Sequence, residues 1–362
     1  MDYWKIIKSF FSSSMSSSYE LTAFTNILVI NRSSIGNLIL STPVACALKT
    51  NFSSAKITYL IQGEYKSLIL SLCPFVDEVI DEDKYDNIEK LLGLIDESLP
   101  DLIVDLDSDN NLNLNWFTKV KYLKFIKPDL YSGNVKHLAK CYLDTISPVC
   151  TQFPKPIFPT LFPEKITNKN FNNIKQQFNI PNKPIIAMVA GINPNKASRS
   201  WLSEAWSYVI DNIVTKYDIT VALVGYEEER VSCEIVRSQV EGKCINLAGS
   251  LDLTDLAIFL SNCEVLISGD TGINHLAVAV GTKTIGLYGQ TLGYFTGPYG
   301  CEHLIIDQSN HCECHEINTC KLTNTNQPGR CMNRIMVNEV LDKINDVLGK
   351  NNHELNSISS HG

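Results

Sequence analysis

The sequence predicts an α/β protein made of two halves, each a parallel sheet flanked by helices. Three observations predict it. Apolar runs of strand length alternate with segments of helical periodicity from about residue 26 to residue 348. Two strand-to-helix junctions carry glycine, one at Gly36 and one at Gly269-Asp270-Thr271-Gly272. Between them, residues 151–163 hold Pro154, Pro156, Pro159 and Pro163, a density that no regular element survives. A chain of 362 residues is also longer than one typical core and suits two.

The totals bound the function. Apolar residues make up 44% and charged residues 19%, the balance of an ordinary soluble protein. A net charge of −8 argues against a broad nucleic-acid surface. No apolar run approaches the roughly 20 residues of a membrane helix. Residues 1–11 lack an uninterrupted apolar core and a small-residue cleavage site, so no export signal is read and a cytoplasmic protein is expected. Twelve cysteines, partly scattered among apolar segments, suit reduced thiols there.

Residues 1–24 read as a flexible tail with a serine-rich centre. Trp4, Ile6, Ile7, Phe10 and Phe11 leave open a short amphipathic turn that touches a membrane surface. The first half then spans 25–155. Residues 26–31 (NILVIN) form a strand, Arg32 to Asn37 a turn, and 38–49 a helix. Strands follow at 55–61, 76–80, 102–107 and 122–125, with helical periodicity at 65–72 and 88–99. Asp105 and Asp107 share one face of their strand; Asp107 reads as a base or as strand-end hydration. His137 and Lys140 open the last helical segment of this half.

The second half spans 156–333. Helical spacing at 171–178 leads to a buried strand at 185–190 and a loop holding Lys196, Arg199 and Trp201. The strand at 219–224 ends in Gly225, and Glu227, Glu228 and Glu229 start a helix that reaches about residue 240. A short strand at 245–249 and a helix at 253–261 follow. The strand at 265–268 breaks at Gly269, and a helix runs from there to Gly281, a natural stop. Residues 284–288 form one more strand, ending in Gly289-Gln290-Thr291. A turn between a strand's carboxyl end and a helix's amino end favours an anion, because free N–H groups and the helix dipole meet there. Asp270 is read either as part of that site or as a helix cap. Cys312, Cys314, Cys320 and Cys331 fall within about 20 residues; they suit a structural zinc or iron site, packed thiols, or a local cross-link. A final amphipathic helix is expected at 334–350, then a polar tail at 351–362.

Three ordered blocks carry a resemblance. Asp270-Thr271-Gly272-Ile273-Asn274-His275-Leu276, then Gly281-Thr282 to Tyr288-Gly289-Gln290-Thr291, then Gly297-Pro298-Tyr299-Gly300 resemble the nucleotide-sugar site of the bacterial heptosyltransferases, glycosyltransferase family 9. Arg32-Ser33-Ser34-Ile35-Gly36-Asn37 with Ser41-Thr42-Pro43 resembles that family's amino-terminal signature. The resemblance covers about 25–348 and implies the GT-B fold, two Rossmann-like domains facing a central cleft. It implies an acceptor-side first domain and a nucleotide-sugar-binding second domain, with the last helix returning to the first.

The resemblance further implies inverting transfer of a heptose from an ADP-sugar to lipopolysaccharide inner core, or to another glycan or protein acceptor, without a cofactor. Peripheral inner-membrane contact is part of that reading. Donor residues would be Asp270, Thr271, Gly272, His275, Arg199 or Lys196, Glu229 and Thr291. Arg32, Ser34, Gly36, His137 and Lys140 would lie on the acceptor side. One position departs: the family's proposed base is Asp, and this chain has Asn37. An amide has no basic lone pair near neutral pH. A binding protein that does not catalyse transfer therefore stands beside the enzyme, with Asp107 as a substitute base. A nucleotide-sugar epimerase of related fold is a third reading, which the two signatures fit less well.

Overall fold

The structure is a computed structural model that describes residues 24–84, 93, 100–107, 120–130, 135–153, 158–162, 168–191, 198–312 and 330–359. The tail before residue 24, the helix expected at 88–99, three of the four linker prolines, Lys196, Cys314 and Cys320 lie outside them.

The first half holds β1 (Asn26–Ile30), α1 (Ile35–Asn51), β2 (Lys56–Ile61), α2 (Lys66–Leu72), β3 (Glu78–Asp81), β4 (Leu102–Asp105), β5 (Lys121–Lys124) and α3 (Leu138–Ile146). Its five strands are all parallel, in the order β3-β2-β1-β4-β5. β1 pairs on both sides, Ile30 lying opposite Leu60 and Asp105. A strand buried on both faces needs apolar residues throughout, which Ile27, Leu28, Val29 and Ile30 supply.

The second half holds α4 (Asn168–Gln177), β6 (Ile185–Val189), α5 (Ser203–Lys216), β7 (Thr220–Leu223), α6 (Arg230–Gln239), β8 (Cys244–Asn246), α7 (Leu253–Leu260), β9 (Val265–Ser268), α8 (Gly272–Ala279), β10 (Lys283–Tyr288), α9 (Gly293–Thr296), β11 (Ile306–Asp307) and α10 (Val337–Ser359). Six parallel strands run β11-β10-β9-β6-β7-β8. Counted from β6, this is the 3-2-1-4-5-6 order of a dinucleotide-binding sheet, with its switch point between β6 and β9. In the first sheet the order reverses between β1 and β4.

Two local details follow from sequence. α1 contains Pro43, which lacks the N–H that would bond Ile39. The Thr42 hydroxyl donates to that Ile39 carbonyl at 2.8 Å, and Ser41 donates to Leu38 at 2.7 Å. Past the end of α8, Gly281 adopts φ +89, and Thr282 N–H closes on Ala277 at 2.9 Å, so the stop read from sequence is a left-handed glycine cap.

The halves share a core. One apolar cluster runs from Leu38 and Ile39 of α1 to Ile273, Leu276 and Ala277 of α8, and from Leu68 and Ile69 of α2 to Leu256 and Leu260 of α7. The connecting strand of chain is bonded to both sides: Leu161 N–H donates to Ala279 and Phe162 N–H to Leu72, each at 2.8 Å. A second cluster fills the far face of the second sheet.

The last helix differs from expectation in two ways. It runs to Ser359, past the expected end near residue 350 and into the stretch read as a tail. Its described side chains also pack on the second half, where the first was expected. Val340, Ile344, Val347 and Leu348 form one stripe, and that stripe is covered by the second cluster with Ile210, Ile213 and Leu287. Asn345 accepts from Lys216 and from Tyr217 at 2.9 and 2.7 Å, fixing the helix against the end of α5.

Candidate functional site

At the switch point, β9 gives way to Gly269. A β-carbon on Gly269 would stand 2.9 Å from the Arg199 carbonyl, so only glycine lets the loop after β6 approach. Thr271 is the N-cap of α8, yet it makes no side-chain cap bond. Asp270 does not cap either; its carboxylate accepts from the Arg199 guanidinium at 2.9 Å. The first N–H groups of α8 are therefore left without a capping side chain, which is the arrangement that receives anions.

His275 lies one turn inside α8 and is 5% exposed. Burial is the main cause that lowers its pKa to about 4; Asp270 opposes this and His137 adds to it. The imidazole is neutral near pH 7. Its Nδ1, the Asn274 Oδ1 and the Thr291 Oγ1 are buried without a hydrogen-bond partner. Such orphans are rare in folded proteins, and they cluster here on α8 and the turn after β10.

The first half meets this turn with the start of α1. A β-carbon on Gly36 would lie 2.8 Å from His275 Cδ2, and one on Gly272 would lie 2.3 Å from Ile35 Cγ2. The two glycine-bearing turns thus face and touch each other. Asn37, half-buried in the first turn of α1, accepts a bond from the Asn31 side-chain amide through its main-chain carbonyl at 3.3 Å. Asp107, offered as a substitute base, is engaged by Arg32. One of its oxygens accepts the Arg32 N–H at 2.7 Å and the other accepts Arg32 Nε at 2.8 Å. Arg32 is also paired with Glu82 at 2.6 Å. These groups hold the turn after β1 in place.

A cavity of about 340 Å³ opens beside the facing turns. Ser34, Ile35, Glu64 and Tyr65 line it from the first half. From the second half come Arg199, Asp270, Thr271 and Gly272, together with Glu228 and Glu229. Glu229 is 2% exposed and accepts the Tyr226 N–H at 2.8 Å, so it is held by the turn after β7. Gly191 and Gly225 make room for it: β-carbons there would stand 2.5 Å from Glu229 Cβ and 2.6 Å from its Oε2.

Sequence reasoning missed Glu64, Tyr65, Tyr226, Trp206 and Met332, all on the cavity wall. Tyr226 directly follows the glycine after β7, and Glu64 and Tyr65 follow Gly63 after β2. Position past a strand's carboxyl end was the available signal.

Two acceptor-side candidates stand elsewhere. His137 caps α3, its Nδ1 accepting from Ala139 N–H at 3.2 Å, and its Nε2 meets the Gly297 carbonyl at 2.9 Å. Its ring lies 4.6 Å from that of Tyr299, over which Lys140 Nζ sits at 5.8 Å. Both nitrogens of His137 are taken, and the pair forms a joint between the halves. Of the four cysteines, Cys312 and Cys331 are described, buried and side by side. Burial first, and the neighbouring Cys312 thiol second, push Cys331 up to about 12. Among the described residues no group of three or more His, Cys, Asp or Glu could hold a metal ion. Nor is any described helix long and apolar enough to cross a membrane.

The family model of glycosyltransferase family 9 (heptosyltransferase) matches residues 147–325. Residues 147–325 therefore carry a family 9 glycosyltransferase domain. Among curated proteins it is 29% identical over 136 residues to lipooligosaccharide heptosyltransferase 2 of Haemophilus influenzae. That match covers 36% of this chain and 39% of the relative, so the chain spans less than half of that protein's length. Among solved structures, the family 9 glycosyl transferase of Veillonella parvula aligns with TM-score 0.75 and 19% identity, over 92% of this chain and all of that one. The ADP-heptose lipopolysaccharide heptosyltransferase II of Escherichia coli aligns with TM-score 0.71 and 18% identity, over 91% of this chain and 100% of its own. The fold is accordingly the GT-B arrangement of family 9, as its motifs imply.

Proposed function

We propose that the protein is an inverting heptosyltransferase that moves a heptose from ADP-heptose to a hydroxyl of lipopolysaccharide inner core, at the cytoplasmic side of the inner membrane. The observation that carries this reading is the uncapped start of α8, opening with the Arg199–Asp270 pair and Glu229 onto one cavity shared by both halves. Its volume of about 340 Å³ falls in the range of small-molecule sites.

In this reading the N–H groups of Thr271, Gly272 and the next residues hold the diphosphate, with Thr291 and the neutral His275 beside it. Arg199, or Lys196 in its place, offsets phosphate charge. The two oxygens of Glu229 accept the ribose hydroxyls. The acceptor enters from the α1 side, along Ser34, Gly36 and Asn37, with Arg32 as a support. The acceptor oxygen bonds to the sugar's anomeric carbon as the bond to phosphate breaks, and the helix end stabilises the departing ADP. Asn37 orients the hydroxyl through its carbonyl, and the proton leaves to solvent. No cofactor enters these steps.

Asn37 supports a second reading, in which the protein binds the sugar nucleotide without transfer. Calorimetry with ADP-heptose, an Asp270→Ala control and a transfer assay on core acceptors separate the two. Binding lost in the control, together with transfer, supports the enzyme. Binding without transfer, followed by gain of transfer in Asn37→Asp, supports a lapsed site. Absence of binding refutes both.

A further inference from the structure

Tyr226 leaves the end of β7 and reaches across to the glycine that opens α8. Its hydroxyl would lie 3.1 Å from a β-carbon placed on Gly272. The ring lines the cavity with Tyr65 and Glu64, which come from the opposite half. The charges around it are unbalanced. Among the described lining residues, Glu64, Glu228, Glu229 and Asp270 stand against Arg199, and Arg199 is already paired with Asp270. A phosphate that gains charge here is better met by neutral donors than by this guanidinium alone. The main-chain N–H groups of α8 are one such set, and the Tyr226 hydroxyl stands beside them.

We propose that Tyr226 is a further catalytic residue, whose hydroxyl donates a hydrogen bond to the phosphate oxygen that takes up charge as the sugar–phosphate bond breaks. The proposal rests on the nucleotide-sugar reading above. As the bond breaks, its electron pair stays on that oxygen. The incoming hydroxyl oxygen bonds to the sugar carbon, and its proton leaves on the acceptor side. Tyr226 keeps its own proton throughout. Burial first, then Tyr65 and the carboxylates of Glu229, Glu64 and Glu228, hold the phenol above its ordinary range, so it keeps its proton near neutral pH. Removing one preorganised donor of this kind lowers a rate by about 10² to 10³.

The test compares the full chain with Tyr226→Phe, which removes the hydroxyl and keeps the ring. Calorimetry measures ADP and ADP-heptose affinity. Single-turnover cleavage of ADP-heptose, with water or core glycan as nucleophile, measures bond breaking, and a melting curve checks the fold. The expected result is affinities within about twofold of the parent and cleavage slower by about 100-fold. Cleavage within about threefold of the parent overturns the proposal. So does a loss of ADP affinity as large as the loss of rate, which marks a binding role. A parent that binds ADP-heptose and never cleaves it overturns the catalytic role and leaves the donor site standing. A parent that binds neither ligand refutes the nucleotide-sugar reading itself.

Discussion

Gly36→Ala is the sharpest test of how the two halves meet. The added methyl would sit 2.8 Å from His275 Cδ2, 3.4 Å from its Nε2 and 3.6 Å from the Gly272 Cα. Carbon pairs rest at about 3.5–4.0 Å, so α1 and α8 must separate by roughly 0.7–1.2 Å or the imidazole must turn. The imidazole is buried, and turning it would disturb the packing around it. Separation moves the acceptor-side turn away from the donor-side turn, and a displacement near 1 Å in a reacting pair costs about 100-fold in rate. Helix propensity acts in the opposite direction, since alanine inside a helix is worth up to about 1 kcal/mol over glycine. The expected outcome is a kcat lower by about 100-fold with ADP affinity nearly intact, because the cavity's second-half wall is untouched. Gly349→Ala, in α10 with no atom within 4 Å of the added carbon, is the matched control and keeps full activity. A Gly36→Ala protein with a raised melting temperature and unchanged kcat would refute the contact.

Other outcomes follow from the same geometry. His275 titrates at about 4 in the folded chain against 6.5 for the free group, so the unfolded state takes up a proton first as pH falls. Stability from this residue is fully present above pH 6.5 and is lost down to pH 4, by about 3 kcal/mol, and His275→Gln flattens that part of the curve in urea titrations. Asp107→Asn removes the carboxylate that Arg32 holds and destabilises by about 2–3 kcal/mol by chemical denaturation; a change under about 0.5 kcal/mol would show the pair to be incidental. Thr42→Val leaves the Ile39 carbonyl without its donor and lowers stability by about 1–2 kcal/mol, with the midpoint of urea unfolding as the measure.

Much of the frame was legible in the sequence because buried parallel strands are written as unbroken apolar runs. Residues 26–31, 185–190 and 265–268 each yielded a central strand within one residue. The turn between β9 and α8 was legible because Gly269, Thr271 and Gly272 obey local backbone rules. What stayed hidden depends on distant packing. Nothing near Asp107 in sequence announces Arg32, which lies 75 residues away and takes both of its oxygens. The destination of α10 was misread because its apolar stripe fits any apolar face, and only the assembled fold decides which is vacant. β11, two residues long, and α9, four residues long, are too short to carry a period. The cavity residues Glu64 and Tyr226 lie on different halves, so their meeting is a property of tertiary structure.

The continuous apolar layer between α1 and α8 also bears on recombination. In a two-part enzyme with a polar seam, one part could be exchanged for that of a relative, trading acceptor preference while keeping donor preference. Here Leu38, Ile39, Leu276 and Ala277 belong to one cluster, and Leu161 and Phe162 tie the connecting chain to both sides. A foreign half would bring side chains cut for another seam, leaving voids or collisions where a matched pair closes. On the proposed function, a change of acceptor preference is therefore expected from point changes around the turns, while a swapped half lowers stability.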